Sequence, residues 1–265
     1  MTDTPISTQA PAFFGWPEQA LQKAPALSVV APMYNEAGGA VALVNEIASA
    51  LSGVEHEIIV VDDCSEDETA SLLRSAMVAH PQLRLLRHGD NAGQSRAIRT
   101  GVLAARAPLV AMLDGDGQND PADLPMLYEK LTQARDGVPL AMVAGERRTR
   151  RDSAAKRWAS SVANGLRRRL LKDGAIDTGC GLKVFYREAF LRLPYFDHMH
   201  RYLPALMRRE GFLIEFMSVS HRPRVHGASK YTNFGRFLVA MRDLLGVMWL
   251  LSRSKSPKSI VETRD

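Results

Sequence analysis

Cysteine is nearly absent from this 265-residue chain. Its two cysteines, Cys64 and Cys180, exclude a disulfide framework and a four-cysteine zinc site and point to a reducing compartment. Long apolar runs are missing too. The longest strongly apolar stretch near the C-terminus, Leu244–Leu251, falls far short of the roughly 20 residues that span a bilayer as a helix. Residues 1–26 hold four prolines, no basic start and no apolar core, so they read as a flexible leader and not as a secretory signal. Neither GxGxxG nor GxxxxGKS/T occurs, which excludes the glycine-loop dinucleotide site and the P-loop. Aromatic residues make up only 7% of the chain.

What is present is an ordinary globular balance, 46% hydrophobic and 24% charged, in a length that suits one large domain or two small ones. The net charge of +5 is unevenly spread. Between Arg147 and Lys172 ten basic residues face one acid, Asp152, so this block carries +9 and leaves −4 for the rest. Such a block suits phosphate, whether on a nucleic acid, an anionic membrane or a substrate, although a solvated helix face has the same composition. Trp158 is its only aromatic residue, a thin basis for stacking nucleobases.

From Leu27 onward short apolar runs alternate with stretches of helical spacing. Strands are predicted at 27–31, 57–61, 83–87, 109–113 and 140–144. Helices are predicted at about 40–51, 67–79, 93–105 and 122–134. This alternation predicts an α/β fold, a parallel sheet covered on both faces with its ligand edge at the strand C-termini. After residue 145 the alternation breaks: a loop and a helix at about 153–171 are followed by a strand at 182–186, a helical stretch near 199–210 and a strand at 212–219. A final helix, Phe234–Leu251, carries Phe234, Phe237, Leu238, Met241, Leu244, Leu245 and Met248 on one stripe. With Trp249, Arg253, Lys255 and Lys258 nearby, it suits a membrane interface; packing on the core or on a second copy of the chain suits it equally.

Acidic residues gather at the strand ends: Asp62 and Asp63 after the second, Asp114 and Asp116 after the fourth. Asp114 and Asp116 are two apart, so extended backbone puts both on one side. With Gln118 they offer oxygen ligands for Mg²⁺ or Mn²⁺. An EF-hand loop is excluded, because Asn119 and Pro125 stand where it needs Gly and Glu.

Five segments in order, PMYNE (32–36), VVDD (60–63), DGDGQ (114–118), DTGCGLKVF (177–185) and RVHGASKY (224–231), resemble glycosyltransferase family 2 and, within it, polyprenyl-phosphate sugar transferases. The resemblance covers 27–231. It implies a GT-A fold, with a Rossmann-like, mostly parallel sheet, followed here by an amphipathic helix over 232–252 and a polar tail over 253–265. It implies a GDP- or UDP-sugar donor, a divalent cation and a polyprenyl or dolichyl phosphate acceptor, with inversion at the anomeric carbon. By the same resemblance, Pro32, Tyr34, Glu36, Val61 and Asp63 cradle the nucleoside. Asp114, Gly115, Asp116 and Gln118 hold metal and diphosphate, and Arg224 and Lys230 close over that diphosphate. Asp116, Arg224 and Lys230 are the expected catalytic groups. Arg147, in GER where relatives often have GSR, grips the acceptor phosphate with Arg157 and Ser161, and Asp177 and Lys183 line the sugar pocket. A phosphate nucleophile is already anionic, which suits a sequence without an evident His–carboxylate base; His221 and His226 are read as loop residues. The expected setting is the cytoplasmic face of an anionic membrane, without nucleic acid. Alternatives are a family member acting on a polysaccharide or small molecule, and a nucleic-acid-binding module.

Overall fold

The computed structural model describes residues 24–133, 140–147, 167, 169–171, 173–175, 177, 179–223 and 233–255, with backbone alone for 233–238. The strands are β1 (Leu27–Met33), β2 (His56–Asp62), β3 (Leu83–Arg87), β4 (Leu109–Met112), β5 (Leu140–Arg147), β6 (Lys183–Tyr186) and β7 (Leu213–Val219). The helices are α1 (Ala40–Ala50), α2 (Thr69–Ala76), α3 (Gln94–Ala104), α4 (Leu124–Thr132), α5 (Arg187–Leu191), α6 (Leu203–Arg209) and α7 (Asn233–Ser252). Every predicted strand and every predicted helix among the described residues is present. The helix expected at 153–171 falls mostly outside them.

The strands form one sheet in the order β3-β2-β1-β4-β6-β5-β7. β3, β2, β1 and β4 run parallel, β6 runs antiparallel to both its neighbours, and β7 returns parallel to β5. The buried alternation along the strands explains why both faces are covered. Val29, Ala31, Ile58 and Val60 pack into one core with α1 and α4 residues. Val30, Ile59 and Val61, their immediate neighbours, pack into the other with α3, α5 and α6. Strands buried on both faces read as continuous branched runs, as these do. Each fully buried Val, Ile or Leu contributes about 1.5–3 kcal/mol.

α7 turns one side to the second of these cores. Leu244 and Val247 are buried, and Met248 and Leu251 pack against them. Leu245 and Trp249 remain exposed, at 59% and 58%. The predicted stripe therefore divides: Leu244 and Met248 face inward and Leu245 faces outward, because the packed repeat is 244, 247, 248 and 251. The helix is tied down by His198 Nδ1 to Asp243 Oδ2 at 3.0 Å and by the Tyr202 hydroxyl donating to the Ala240 carbonyl. Among the described residues no helix is long and apolar enough to cross a membrane.

Candidate active site

Three loops meet at the C-terminal edge of the parallel strands. After β1, Asn35 adopts a left-handed conformation (φ 56°), and its amide donates to Ser65 Oγ while its own Oδ1 accepts from the Glu66 amide. The Glu36 and Ala37 amides are held by Thr69 Oγ1 and the Asp67 carboxylate. The β1 and β2 loops are thus stitched into one rim. After β2, the Asp63 carboxylate accepts from the Ala92 and Gly93 amides (2.9 and 2.8 Å) and pairs with His88 Nδ1 (2.6 Å). Asp63 therefore fixes the turn that starts α3.

Asp114, two residues beyond β4, stands at the centre. Gln94, the first residue of α3, donates to its Oδ1 at 2.7 Å. Burial raises the Asp114 pKa to about 6, and the charge of Asp116 adds to the rise. Asp114 and Asp116 repel each other, while the charges of Lys183 and Arg147 pull the other way; two carboxylates on one loop are the oxygen-donor chemistry a hard divalent cation fits. Among the described residues no three His, Cys, Asp or Glu side chains cluster closely enough to enclose a metal. An ion here would be held by Asp114 and Asp116, with Gln118 and ligand oxygens completing its shell. Two close approaches demand glycine. A Cβ on Gly115 would lie 2.5 Å from the Pro32 carbonyl oxygen, and one on Gly181 would lie 2.3 Å from Asp114 Oδ2.

Two cavities adjoin across Asp114 and Gln94. The first, about 300 Å³, is walled by Pro32, Tyr34, Glu36, Asp63, Gly115 and Asp116 together with Met33 and Ala97. The second, about 360 Å³, is walled by Met112, Gly179, Cys180, Gly181, Lys183, His200 and Arg201. Lys183 is buried; its ammonium donates to the Cys180 carbonyl, and burial lowers its pKa against the opposing pull of Cys180, Asp114 and Asp177.

The structure gathers Pro32, Tyr34, Glu36, Asp63, Gly115, Asp114 and Asp116 around one space. Val61 is fully buried on the α3 side of the sheet and does not line that space. Arg147 and Asp177, assigned to different subsites by sequence, bind each other: Arg147 Nε and Nη2 donate to the two Asp177 oxygens. Arg157, Ser161, Arg224 and Lys230 lie outside the described residues. The approach to 224–230 is nevertheless fixed. Ser220 is bonded to Asp123, His221 bridges Asn119, the Arg222 amide donates to the Gln118 carbonyl, and the Arg222 guanidinium binds Asp120 and Glu46. Sequence reasoning missed Gln94 and His200. Gln94 had a signal, since it opens the helix after β3 on the edge already marked by acids. His200 had none, because its partner Ser95 is 105 residues away.

An open α/β sheet with two carboxylates and two cavities at its C-terminal edge places a binding cleft where such sheets carry their ligands. The sequence pattern of Glycosyl transferase family 2 matches residues 28–193, and the chain belongs to that family: it is a glycosyltransferase. It is 34% identical over 237 residues to a dodecaprenyl-phosphate galacturonate synthase of Rhizobium johnstonii, covering 87% of this chain and 69% of the relative. It is likewise 34% identical over 228 residues to an undecaprenyl-phosphate 4-deoxy-4-formamido-L-arabinose transferase of Pseudomonas paraeruginosa, covering 84% of this chain and 65% of that one. The chain thus spans about two thirds of the length of these relatives. Its fold matches a mannosyltransferase from Pyrobaculum calidifontis solved with GDP-Man and Mn²⁺ (TM-score 0.62, 20% identity, 88% of this chain and 66% of that one). It also matches glucosyl-3-phosphoglycerate synthase from Mycobacterium tuberculosis solved with UDP (TM-score 0.64, 18% identity, 92% and 87%). The fold is GT-A.

Proposed function

We propose that this glycosyltransferase moves a sugar from a GDP- or UDP-linked donor to the phosphate of a polyprenyl lipid, using Mg²⁺ or Mn²⁺ and inverting the anomeric carbon. The observation that carries this reading is the placement of Asp114 and Gln94 between two adjoining cavities, one against the β1 and β2 loops and also lined by Asp116, the other against β6. The two relatives named for polyprenyl-phosphate substrates support the acceptor class.

The nucleoside occupies the first cavity against Pro32, Tyr34 and Glu36, with Asp63 holding the wall in place. The diphosphate lies at Asp114, Asp116 and Gln118, and the sugar reaches into the second cavity past Lys183. When bound, the divalent cation offsets charge that grows on the departing nucleoside diphosphate. Arg224 and Lys230, carried on the segment that leaves the Gln118 turn, add positive charge there. Arg157, Ser161 and Arg147 orient the acceptor phosphate. One of its oxygens attacks the anomeric carbon as the bond to the diphosphate breaks on the opposite side. The nucleophile carries no proton to remove, so no general base is needed.

The catalytic unit spans 27–231, preceded by the 1–26 leader and followed by the 232–252 helix and the 253–265 tail. Leu245 and Trp249, exposed on α7, rest in the lipid interface, with Arg253 and Lys255 toward anionic head groups on the cytoplasmic face. The test is equilibrium binding of UDP and GDP with and without Mn²⁺. One nucleotide binds wild type only with the metal, and Asp116→Asn loses that metal-supported binding. Metal-independent binding, or tight binding of single-stranded DNA in place of nucleotide, refutes the reading.

A further inference from the structure

The second cavity carries more positive than negative charge, and two of its polar residues, His200 and Arg201, take no part in holding the donor. Lys183, Arg201 and Asp114 all line it. Arg201 is exposed and has no ion-pair partner among the described residues. Beside it, His200 Nδ1 lies 2.7 Å from the hydroxyl of Ser95, which is wholly buried on α3. No other acceptor for that hydroxyl is found among the described residues. The Ser95 hydrogen therefore points at Nδ1, and a neutral imidazole carries its own hydrogen on Nε2. That leaves an N–H on His200, a residue of the cavity wall.

Resting on the donor and acceptor classes proposed above, we propose that Arg201 and His200 bind an anionic oxygen group inside the second cavity. This group is either a carboxylate on the transferred sugar or the acceptor phosphate. A guanidinium presents paired N–H donors that match carboxylate and phosphate oxygens, and a neighbouring neutral N–H adds direction. His200 stays neutral in this role. Burial pushes its pKa down to about 3, helped by the charges of Arg201 and Lys183. The segment is also held in place. Arg96 lies 3.9 Å above the Tyr195 ring, and Tyr202 and His198 fasten the far side to α7. Arg201 therefore projects from a fixed support, as selective recognition requires.

The experiment compares wild type, Arg201→Gln and His200→Ala, with Mn²⁺, for binding of matched donors: UDP-glucuronate against UDP-glucose, and GDP-mannuronate against GDP-mannose. Free UDP and GDP are the control. For a sugar carboxylate, Arg201→Gln weakens the uronate-linked donor by about tenfold, the scale of one charge-assisted bond, and leaves its neutral partner and the free nucleotide unchanged. For the acceptor phosphate, all donors bind unchanged and the KM for undecaprenyl phosphate rises by a similar factor. His200→Ala shifts the same ligand in the same direction. No change with either ligand, or an equal loss of free nucleotide binding, overturns the proposal. Uronate selectivity in a protein that makes no polyprenyl product would leave this inference standing and remove the acceptor reading instead.

Discussion

Arg147 and Asp177 form a two-pronged pair at the end of β5, with Nε to Oδ2 at 2.5 Å and Nη2 to Oδ1 at 2.7 Å. Both side chains are largely enclosed, at 16% and 7% exposure. The pair joins β5 to the turn that leads into β6, where Gly179 donates to the same Asp177 oxygen. It thereby sets the position of the Gly179–Gly181 wall beside Asp114.

Removing one member of such a pair strands the other. Asp177→Ala is expected to destabilise the protein by about 3 kcal/mol, since an enclosed guanidinium loses its counter-charge. The double variant Arg147→Met, Asp177→Leu recovers most of that stability without recovering sugar transfer. Urea unfolding of the three proteins measures this, and a double variant no more stable than the single one contradicts it.

Asp114 gives a pH signature. Its pKa is raised from 3.8 to about 6 by burial and by Asp116. The native state therefore holds a proton that the unfolded chain has released, and the Asp114 contribution to metal-free stability falls as pH rises from about 4 to 6. His200 contributes with the opposite sign, since its lowered pKa of about 3 favours the native state as pH rises. A divalent cation binds the ionised form, so its affinity falls below pH 6 by about tenfold per pH unit. Thermal melts across pH 4–8 with and without Mn²⁺ reveal both slopes. The stability difference between wild type and Asp114→Asn isolates this group, and a metal-free difference that stays constant over pH 4–6 contradicts the assignment.

Gly181→Ala places a methyl group against the Asp114 carboxylate, at 2.3–2.6 Å from its atoms before any shift. Displacing the carboxylate is expected to weaken Mn²⁺ affinity by about 10–100-fold, the scale for disturbed support of a ligand. Gly53→Ala, where nothing lies within 4 Å, is the control. Manganese titration distinguishes them, and equal affinities refute the close approach.

Much of this was legible in the sequence. The branched runs of β1 and β2 announced a sheet buried on both faces, and the DxDxQ run marked the acidic loop at the centre of the cleft by composition and spacing. β6 was legible as a strand, but its antiparallel direction follows from its partners β4 and β5, and local periodicity does not encode partners. The Arg147–Asp177 pair escaped for the same reason: the two lie 30 residues apart, and only the fold reveals that one neutralises the other. Asp63 was placed at the right rim, but its carboxylate is occupied by the Ala92 and Gly93 amides. Its type suggested ligand binding equally well.

The measurement that bears most directly on the account is mass spectrometry of the lipid product after incubation with undecaprenyl phosphate, Mn²⁺ and a panel of UDP- and GDP-sugars. The account predicts a lipid-phosphate sugar formed from one donor class, dependent on the metal and absent in Asp116→Asn. A sugar transferred only to a soluble acceptor, with undecaprenyl phosphate left unmodified by every donor, contradicts it.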